Sequence, residues 1–592
     1  MTAAVSALHG GPGARALWTT MATLAVAGPA LLAYNRPPSA TLLNQVLALA
    51  GWAGFVVVIA AALPAQPRLL REPAAHGLRA LVAALVLLAL AALAAPLWTG
   101  QPWSLARSSA GLIGAAVLVA LGGAAAQRAG RGVEAFRAFA FALVVAGVAS
   151  AAIGFVQMFA PQWTGSHWIA QSLTEGRAVG NLRQPNHLSS LLLWAIVAAV
   201  WLGEAGALPR RAAAAFALVM LYATVLTGSR TGGLGVLLIA AWGLLDRGLA
   251  RRTRGLLLAM PVLYVLAWAG MTFWSHEAHQ AFFGEAQISK SDLSSSRFGI
   301  WANTLVLILQ HPWAGVGFGE FNFAWTLTPF PGRPVAFFDH THNLVLNFAV
   351  ELGLPLAAAV IALLLAALVR AGRAAAASDA AASPLRAALV VVLLAALHSQ
   401  LEYPLWYAYF LLPTAFAFGL CGVGAPPDAA LAAAPLQPER TRPLALLALW
   451  LALCCGLSLF DYGKVVVIFA PGDGAAPLAQ RIADGRRSWF FAHHADYAAA
   501  TTVEHPSQVM ASFATSSHYL LDTRLMIAWA RAFDEAGDAQ RARFIAARLR
   551  EFRNPDADEF FAPCDDPAVP AARRPFQCQA PTLAMDYRNF RP

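Results

Sequence analysis

Charged residues are scarce in this chain. Only 12% of its 592 residues are Asp, Glu, Lys or Arg, and the mean hydropathy is +0.57. Soluble proteins carry about a quarter charged residues, so a soluble fold is excluded for most of the chain. Runs almost without charge, such as 80–98 and 354–369, match helices that cross a hydrocarbon core about 30 Å thick. Because helices satisfy backbone polar groups within one segment, the composition predicts an all-α polytopic membrane protein.

Cysteine is also scarce, and none of the five has a neighbour at zinc-ligand spacing. Three of them, Cys421, Cys454 and Cys455, lie in apolar segments, where we expect packing roles. Cys564 and Cys578 lie in the polar C-terminal part, where they either pair on an oxidising outer face or stay free. We expect no metal and no cofactor.

The N-terminus lacks the basic region, short apolar core and cleavage site of a secretory signal peptide. We therefore expect the apolar stretch at 16–34 to be a retained anchor. The formal net charge is +10. Most arginines lie in short loops between apolar segments, which favours a role in membrane topology over nucleic-acid binding.

Apolar segments divide the chain into about thirteen predicted membrane helices. They lie near 16–34, 41–63, 77–97, 109–127, 135–159, 187–203, 212–226, 231–246, 255–274, 343–369, 386–402, 404–422 and 443–469. The gap at 275–342 is too long for a simple connector, and loops of that size usually carry function.

Arginine is distributed unevenly between alternate short loops. The even-numbered loops contain Arg68, Arg71, Arg128, Arg131, Arg210, Arg211, Arg247, Arg251, Arg252, Arg254, Arg370, Arg373, Arg440 and Arg442. The odd-numbered loops contain only Arg36, Arg107, Arg177, Arg183 and Arg230. Because cytoplasmic loops are the richer in arginine, the N-terminus is predicted inside and the 275–342 loop outside.

Two domains are expected from this pattern. Residues 1–470 form a transmembrane domain that includes the large periplasmic loop 275–342. Residues 471–592 form a periplasmic helical domain, in which a helical period interrupted at Gly537 predicts a helical hairpin.

Unusual polar sequence collects on the predicted outer side. It falls in four stretches: 175–194, 227–233, 294–325 with the following "DHTHN" (339–343), and 398–407. Because they are far apart in sequence yet share one predicted side, we expect one site where helices open to the periplasm.

Three outward arginines are candidates for binding an anion. Arg230 lies between two short apolar helices, where a cation is costly unless it is paired or hydrated. An interfacial arginine that reaches water is the alternative. Arg183 and Arg297 lie in polar loops that tolerate arginine freely. All three could bind phosphate oxygens through a planar, permanently charged guanidinium.

The segment "FFDHTHN" places two histidines just before an apolar helix. A histidine can accept a proton at neutral pH, so His342 could activate a hydroxyl, with a capping or surface role as the alternative. His340 could be the base instead, or a support. Metal binding by this pair lacks further ligands. Asn343, Asn347 and Glu351 share one helix face, where hydrogen bonds to other helices are the simplest role.

Two further stretches complete the pattern. The glycines of "HPWAGVGFGEF" (311–321) are not a dinucleotide fingerprint, because no strand–turn–helix unit surrounds them, and they predict a tight turn. Glu402 and Tyr403 precede Pro404 between two apolar segments and should face the outer cavity, or belong to an interfacial aromatic belt.

Together the motifs "TGSRTGG", "SRFGIW…HPWAGVGFGEF" and "HN…ELGLP" resemble the O-antigen ligase and polymerase superfamily. "GNLRQPNHLSSLL", "LHSQLEYPLWYAYFLLP" and the helical tail look like protein O-oligosaccharyltransferases of the PglL type. The resemblance implies a GT-C-like, metal-independent membrane glycosyltransferase with 12–13 transmembrane helices. The implied partners are a polyprenyl-diphosphate oligosaccharide donor, a periplasmic acceptor protein and membrane lipid.

The resemblance also implies residue roles. His342 is the implied essential histidine, and Arg230 and Arg297 would bind the donor diphosphate. Gln184 and Tyr403 would line the same cavity. The remaining candidates for substrate binding are Arg183, Asn186, His340, Asn343 and Glu402.

Three activities share these residues. The resemblance favours transfer to protein, with transfer to lipid A core and polymerisation on the carrier as alternatives. A secondary transporter, which would also retain intramembrane Arg and His, predicts internal repeats that the sequence lacks.

Overall fold

The computed structural model describes residues 12–63, 69–71, 75–285, 292–378, 383–423, 442–567, 570 and 573–591. Within these ranges the chain is helical and contains no β-strand. Arg68 and Arg440, which entered the topology prediction, lie outside the described residues.

The helices of seven or more residues are numbered in chain order. They are α1 (Pro12–Leu31), α2 (Leu42–Ala62), α3 (His76–Ala94), α4 (Trp103–Arg128), α5 (Gly132–Phe159), α6 (Pro185–Glu204), α7 (Arg210–Leu226), α8 (Arg230–Leu245), α9 (Arg251–Ala278), α10 (Asp292–Gln310), α11 (Phe321–Leu327), α12 (Leu344–Ala376), α13 (Pro384–Ser399), α14 (Ala408–Cys421), α15 (Arg442–Phe469), α16 (Leu478–Gly485), α17 (Ala492–Thr502), α18 (Met510–Ser516), α19 (Thr523–Glu535), α20 (Ala539–Glu551) and α21 (Asp558–Asp565).

The predicted apolar segments coincide with α1 to α9 and α12 to α15. Among the described helices, eight are long and apolar enough to cross a membrane, while α8, α13 and α14 are shorter apolar helices. The prediction of an all-α polytopic membrane protein is confirmed.

The first compact unit comprises Met1–Leu85, Ile113–Ser291 and Ala362–Gly456. Its centre is α6, which is buried along nearly its whole length and packs against α5, α7, α8 and α13. Trp194 in α6 donates from Nε1 to the carbonyl of Val391 in α13 over 3.0 Å. This burial fixes the position of the N-terminal end of α6, where several candidate residues lie.

The second compact unit comprises Val86–Leu112, Asp292–Ile361 and Leu457–Pro592. Helices α19 and α20 pack together, joined through Gly537 at φ +83°. The predicted helical hairpin is therefore present. Cys564 and Cys578 form a disulfide bond. The domain boundary at 470 stays a prediction, and the C-terminal helices share this unit with residues 292–361.

Candidate functional site

The stretch "RQPNH" forms the N-terminus of α6. Gln184 is the N-cap, and its side-chain oxygen accepts a hydrogen bond from the amide of His187 over 2.8 Å. Pro185 occupies the first helical position, where its missing N–H costs nothing. The helix start therefore follows directly from these residue types, and it fixes the orientation of Asn186.

Asn186 links three distant motifs of the first unit. Its Nδ2 donates to Oε1 of Glu402 over 3.0 Å. Its Oδ1 accepts from the hydroxyl of Ser229 over 2.7 Å. Ser229 also caps α8, because its Oγ accepts from the amide of Gly232 over 2.9 Å. The stretches 175–194, 227–233 and 398–407 thus share one hydrogen-bond network.

Arg230 is the first residue of α8 and its side chain is exposed. It borders a cavity of ≈720 Å³ at this helix start. The other lining residues are Gly228, Ser229, Gly233, Leu234, Tyr264, Val265, Trp268 and Gly284. One end is therefore cationic and polar and the walls are apolar, which suits a ligand with an anionic head and a hydrocarbon part.

Arg183 and Tyr403 lie in the same unit. Arg183 is exposed, with φ at +56°, and its guanidinium donates to the carbonyls of Ala33 and Ala40. Tyr403 is half-buried, and its ring stacks against that of Tyr407 with centroids 6.2 Å apart.

The two candidate histidines lie in the second unit, in the turn before α12. Asn343 caps this helix, because its Oδ1 accepts from the amide of Leu346 over 3.0 Å. Thr341 Oγ1 donates to the carbonyl of Asn343 over 2.7 Å. His342 lies between Thr341 and Asn343, and its φ of +55° is in the left-handed region that non-glycine residues rarely adopt. Such strain is concentrated at functional sites.

Neighbouring side chains fix this turn. Trp301 in α10 donates from Nε1 to the carbonyl of Thr341 over 2.9 Å. Arg297 lies four residues earlier, hence on the same face of α10 as Trp301. The ring of Phe338 makes an edge-on contact with the His342 imidazole, with centroids 5.2 Å apart. The second unit thus brings Arg297 and His342 to one region.

The other residues of the turn have defined partners. His340 Nδ1 lies 3.1 Å from Oδ1 of Asp339. Asn347 is buried, and its Oδ1 accepts from the amide of Thr341 over 3.2 Å. This hydrogen bond joins Asn347 to the turn before its own helix, whereas the expectation was hydrogen bonds to other helices.

The tight turn predicted in "HPWAGVGFGEF" is confirmed. The amides of Val316 and Gly317 donate to the carbonyls of Val350 and Glu351 over 2.8 and 3.0 Å. This close approach interrupts α12 at Gly353, where φ is +75°. The break separates the first turns of α12, which follow the histidines, from its long apolar part.

Sequence reasoning missed Ser229, Trp301 and Asn322. The serine had a local signal, because serine is a preferred helix cap. Asn322 had none, since its Nδ2 donates to the carbonyl of Phe338 and its Oδ1 accepts from the amide of Leu521, 199 residues away. Among the described residues, no group of three His, Cys, Asp or Glu could hold a metal.

Three family models match parts of this chain. Residues 215–361 match the O-antigen ligase model, and residues 178–202 match the protein glycosylation ligase model. Residues 386–561 match the C-terminal model of virulence factor membrane-bound polymerases. All the candidate residues named above as catalytic or substrate-binding lie within these ranges.

Two curated proteins of Acinetobacter baylyi are also similar. A ComP-specific O-oligosaccharyltransferase is 27% identical over 263 residues, which cover 43% of this chain and 45% of that protein. A general O-oligosaccharyltransferase is 25% identical over 266 residues, covering 44% and 46%. The chain thus spans about half the length of the curated relatives it matches. The matches confirm the resemblance of the motifs: this chain is similar to the O-antigen ligases over residues 215–361 and to two O-oligosaccharyltransferases over about 44% of its length.

Proposed function

We propose that this protein transfers an oligosaccharide en bloc from a polyprenyl diphosphate carrier, undecaprenyl diphosphate, to Ser or Thr hydroxyls of periplasmic proteins such as pilin. The observation that carries the proposal is the similarity to two O-oligosaccharyltransferases. The enzyme would be a metal-independent glycosyltransferase.

His342 is the proposed general base. The acceptor hydroxyl oxygen attacks the anomeric carbon, and the bond from that carbon to the diphosphate breaks. The imidazole accepts the hydroxyl proton, while the diphosphate leaves with the bonding electrons. Support comes from the turn itself, because the contacts of Thr341 and Phe338 hold the imidazole in place before substrate binds.

Arg230 and Arg297 are the proposed ligands of the diphosphate. Charge develops on the leaving group in the transition state, so fixed cations at that point lower the barrier. The cavity beside Arg230 supports this assignment, because its apolar walls suit the prenyl chain of the donor.

The remaining candidates take supporting parts in this proposal. Glu402 orients Asn186, which accepts a hydrogen bond from Ser229. Since Ser229 caps α8, these contacts fix the position of the start of that helix. Gln184 and Tyr403 contact the donor, and Arg183 belongs to the same group of substrate-binding candidates. Asn343 and His340 flank the base and position the acceptor.

The proposed location is the bacterial inner membrane, with the N-terminus cytoplasmic. The loop 275–342 and residues 471–592 would then be periplasmic. The arginine bias between alternate loops supports this orientation.

The test is transfer in a strain that makes a lipid-linked glycan, with a pilin as co-expressed acceptor. We expect a glycan mass on a serine or threonine of the acceptor. The matches to the O-antigen ligase and polymerase models give two alternative activities, ligation and polymerisation. Glycan on lipid A core would identify a ligase, and longer lipid-linked chains with an unmodified acceptor would identify a polymerase.

A further inference from the structure

Two arginines of the stretch 175–194 have different environments. Both terminal nitrogens of Arg183 donate to backbone carbonyls, those of Ala40 and Ala33. Arg177 donates instead from Nε, to the carbonyl of Thr227 over 2.9 Å. Its Nη1 and Nη2 make no hydrogen bond with the described residues. These are two nitrogens through which a guanidinium can donate parallel hydrogen bonds to a phosphate.

Arg177 is fixed beside the cavity that Arg230 borders. Its guanidinium lies over the ring of Phe283, 4.1 Å from the centroid. Phe283 precedes Gly284, and Thr227 precedes Gly228, and both of those glycines line the cavity. Both contacts of Arg177 are thus made with residues next to the cavity wall.

The backbone around Arg177 is held on both sides. The amide of Phe283 donates to the carbonyl of Gly176, and the amide of Ala178 donates to the carbonyl of Leu226, each over 3.0 Å. Glycine is required at 176, because φ is +66° and a Cβ there would approach the carbonyl oxygen of Ala281 to 2.2 Å. The position of Arg177 relative to the cavity is therefore set before a ligand binds.

Arg177 remains a cation in this environment. Burial lowers the pKa of its guanidinium to about 10, and the charge of Glu402 acts in the opposite direction. Among the residues that the structure describes, the terminal nitrogens of this half-buried cation make no hydrogen bond, which favours an anionic ligand.

We infer that Arg177, together with Arg230, binds the diphosphate group of the prenyl-linked donor. The inference rests on the proposed function for the identity of the donor. For the anion itself it rests on the cavity and on the two Nη groups, which make no hydrogen bond within the described ranges.

The test is a binding measurement that needs neither acceptor nor transfer. Farnesyl diphosphate is titrated into the purified full-length protein in nanodiscs, with inorganic diphosphate and farnesol as parallel probes. We expect farnesyl diphosphate to bind more tightly than inorganic diphosphate, because the apolar wall adds contact area. A reverse order would show a site for free diphosphate and would overturn the lipid-linked assignment.

Arg211→Gln is the control for Arg177→Gln, because Arg211 is an exposed arginine of the same unit that does not line the cavity. Arg177→Gln should weaken binding of farnesyl diphosphate about 10- to 100-fold, the range for losing hydrogen bonds to a charged group. Arg211→Gln should leave the affinity unchanged. Wild-type affinity in Arg177→Gln, or an equal loss of farnesol binding, would overturn the inference, since a loss shared by an uncharged ligand reports structural damage.

Arg177→Lys covers the case in which Arg177→Gln does not fold. Lysine keeps the charge but cannot make the two parallel hydrogen bonds of a guanidinium, so weaker binding than wild type is expected. Wild-type affinity in this variant would overturn the inference.

The inference and the proposed function fail separately. If wild type transfers no glycan but Arg177→Gln weakens binding of farnesyl diphosphate, the proposed function is refuted and the anion site is retained. If Arg177→Gln glycosylates the acceptor as fast as wild type does, the proposed function is retained and the role of Arg177 is refuted.

Discussion

Arg333 and Glu551 form an ion pair, with Nη2 of the arginine 2.9 Å from Oε2 of the glutamate. The arginine side chain is fully buried, and it also donates from Nη1 to the carbonyls of Trp325 and Thr326. Burial lowers the pKa of Arg333 to about 10, and Glu551 opposes that shift. The pair joins the loop that precedes the histidines to the C-terminal helix α20, so the C-terminal helices are part of the support of that loop.

Glu551→Gln tests this support. Removing one partner leaves the other charge buried, which costs about 3 kcal/mol of unfolding free energy. We expect a lower midpoint of thermal unfolding and a lower transfer rate. The matched control is Asp484→Asn, which breaks an exposed pair with Arg487 and should change stability by less than about 1 kcal/mol. Equal stability of the two variants would contradict the prediction.

The turn at Gly353 gives a second prediction. A Cβ at this position would lie 2.3 Å from the carbonyl oxygen of Trp313, and φ is +75°. We therefore expect Gly353→Ala to lower the free energy of unfolding by about 1–3 kcal/mol through backbone strain. It should also displace the turn at 311–321, which contains Trp313. Gly372→Ala in the same helix meets nothing within 4 Å and should leave thermal unfolding and transfer unchanged. A Gly353→Ala protein as stable and active as its control would refute the importance of the break.

The bond between Asn186 and Glu402 can be tested by exchange. Asn186→Asp removes the donor and sets two carboxylates side by side, so we expect transfer to fall about tenfold or more. The double variant Asn186→Asp/Glu402→Gln restores a donor and an acceptor, because the glutamine amide can donate to the new carboxylate. Recovery of transfer in the double variant is the predicted outcome. Additive losses would show that the two side chains act independently.

Stability of the C-terminal helices should depend on pH through His493 and His494. Burial lowers the pKa of His494 to about 4, and that of His493 falls well below its ordinary value. In the unfolded chain histidine titrates near 6.5, so the unfolded state takes up more protons as pH falls. Stability is therefore full above about pH 6.5 and declines toward pH 4.

Thermal unfolding between pH 7.5 and 4.5 measures this decline. His493→Phe/His494→Phe should flatten it, because the titrating groups are gone. His505→Gln is the control, since the imidazole of His505 is 62% exposed, and its profile should match wild type. A wild-type profile in the double variant would show that other groups cause the decline.

Hydrophobic periodicity and residue type were enough to predict most of the membrane-associated helices. The start of α6 is one example, since Gln184 and Pro185 act through their immediate neighbours. The tight turn at 311–321 is another, because glycine clusters mark such turns.

Long-range partners could not be predicted in this way. The left-handed conformation of His342 accompanies a bond from Trp301 to Thr341, forty residues apart. Sequence also cannot show that the guanidinium of Arg183 donates to the carbonyls of Ala33 and Ala40. Nothing local to Asn322 indicates its bond with Leu521.

The most direct test of the account is transfer by purified protein, with lipid-linked oligosaccharide as donor and a pilin as acceptor. Wild type, His342→Ala and His340→Ala are compared by intact mass of the acceptor, with donor binding measured in parallel. We predict that His342→Ala lowers the rate at least about 100-fold while donor binding persists, as expected for loss of a general base. Wild-type transfer by His342→Ala, with loss confined to His340→Ala, would contradict the account and assign the base to the other histidine.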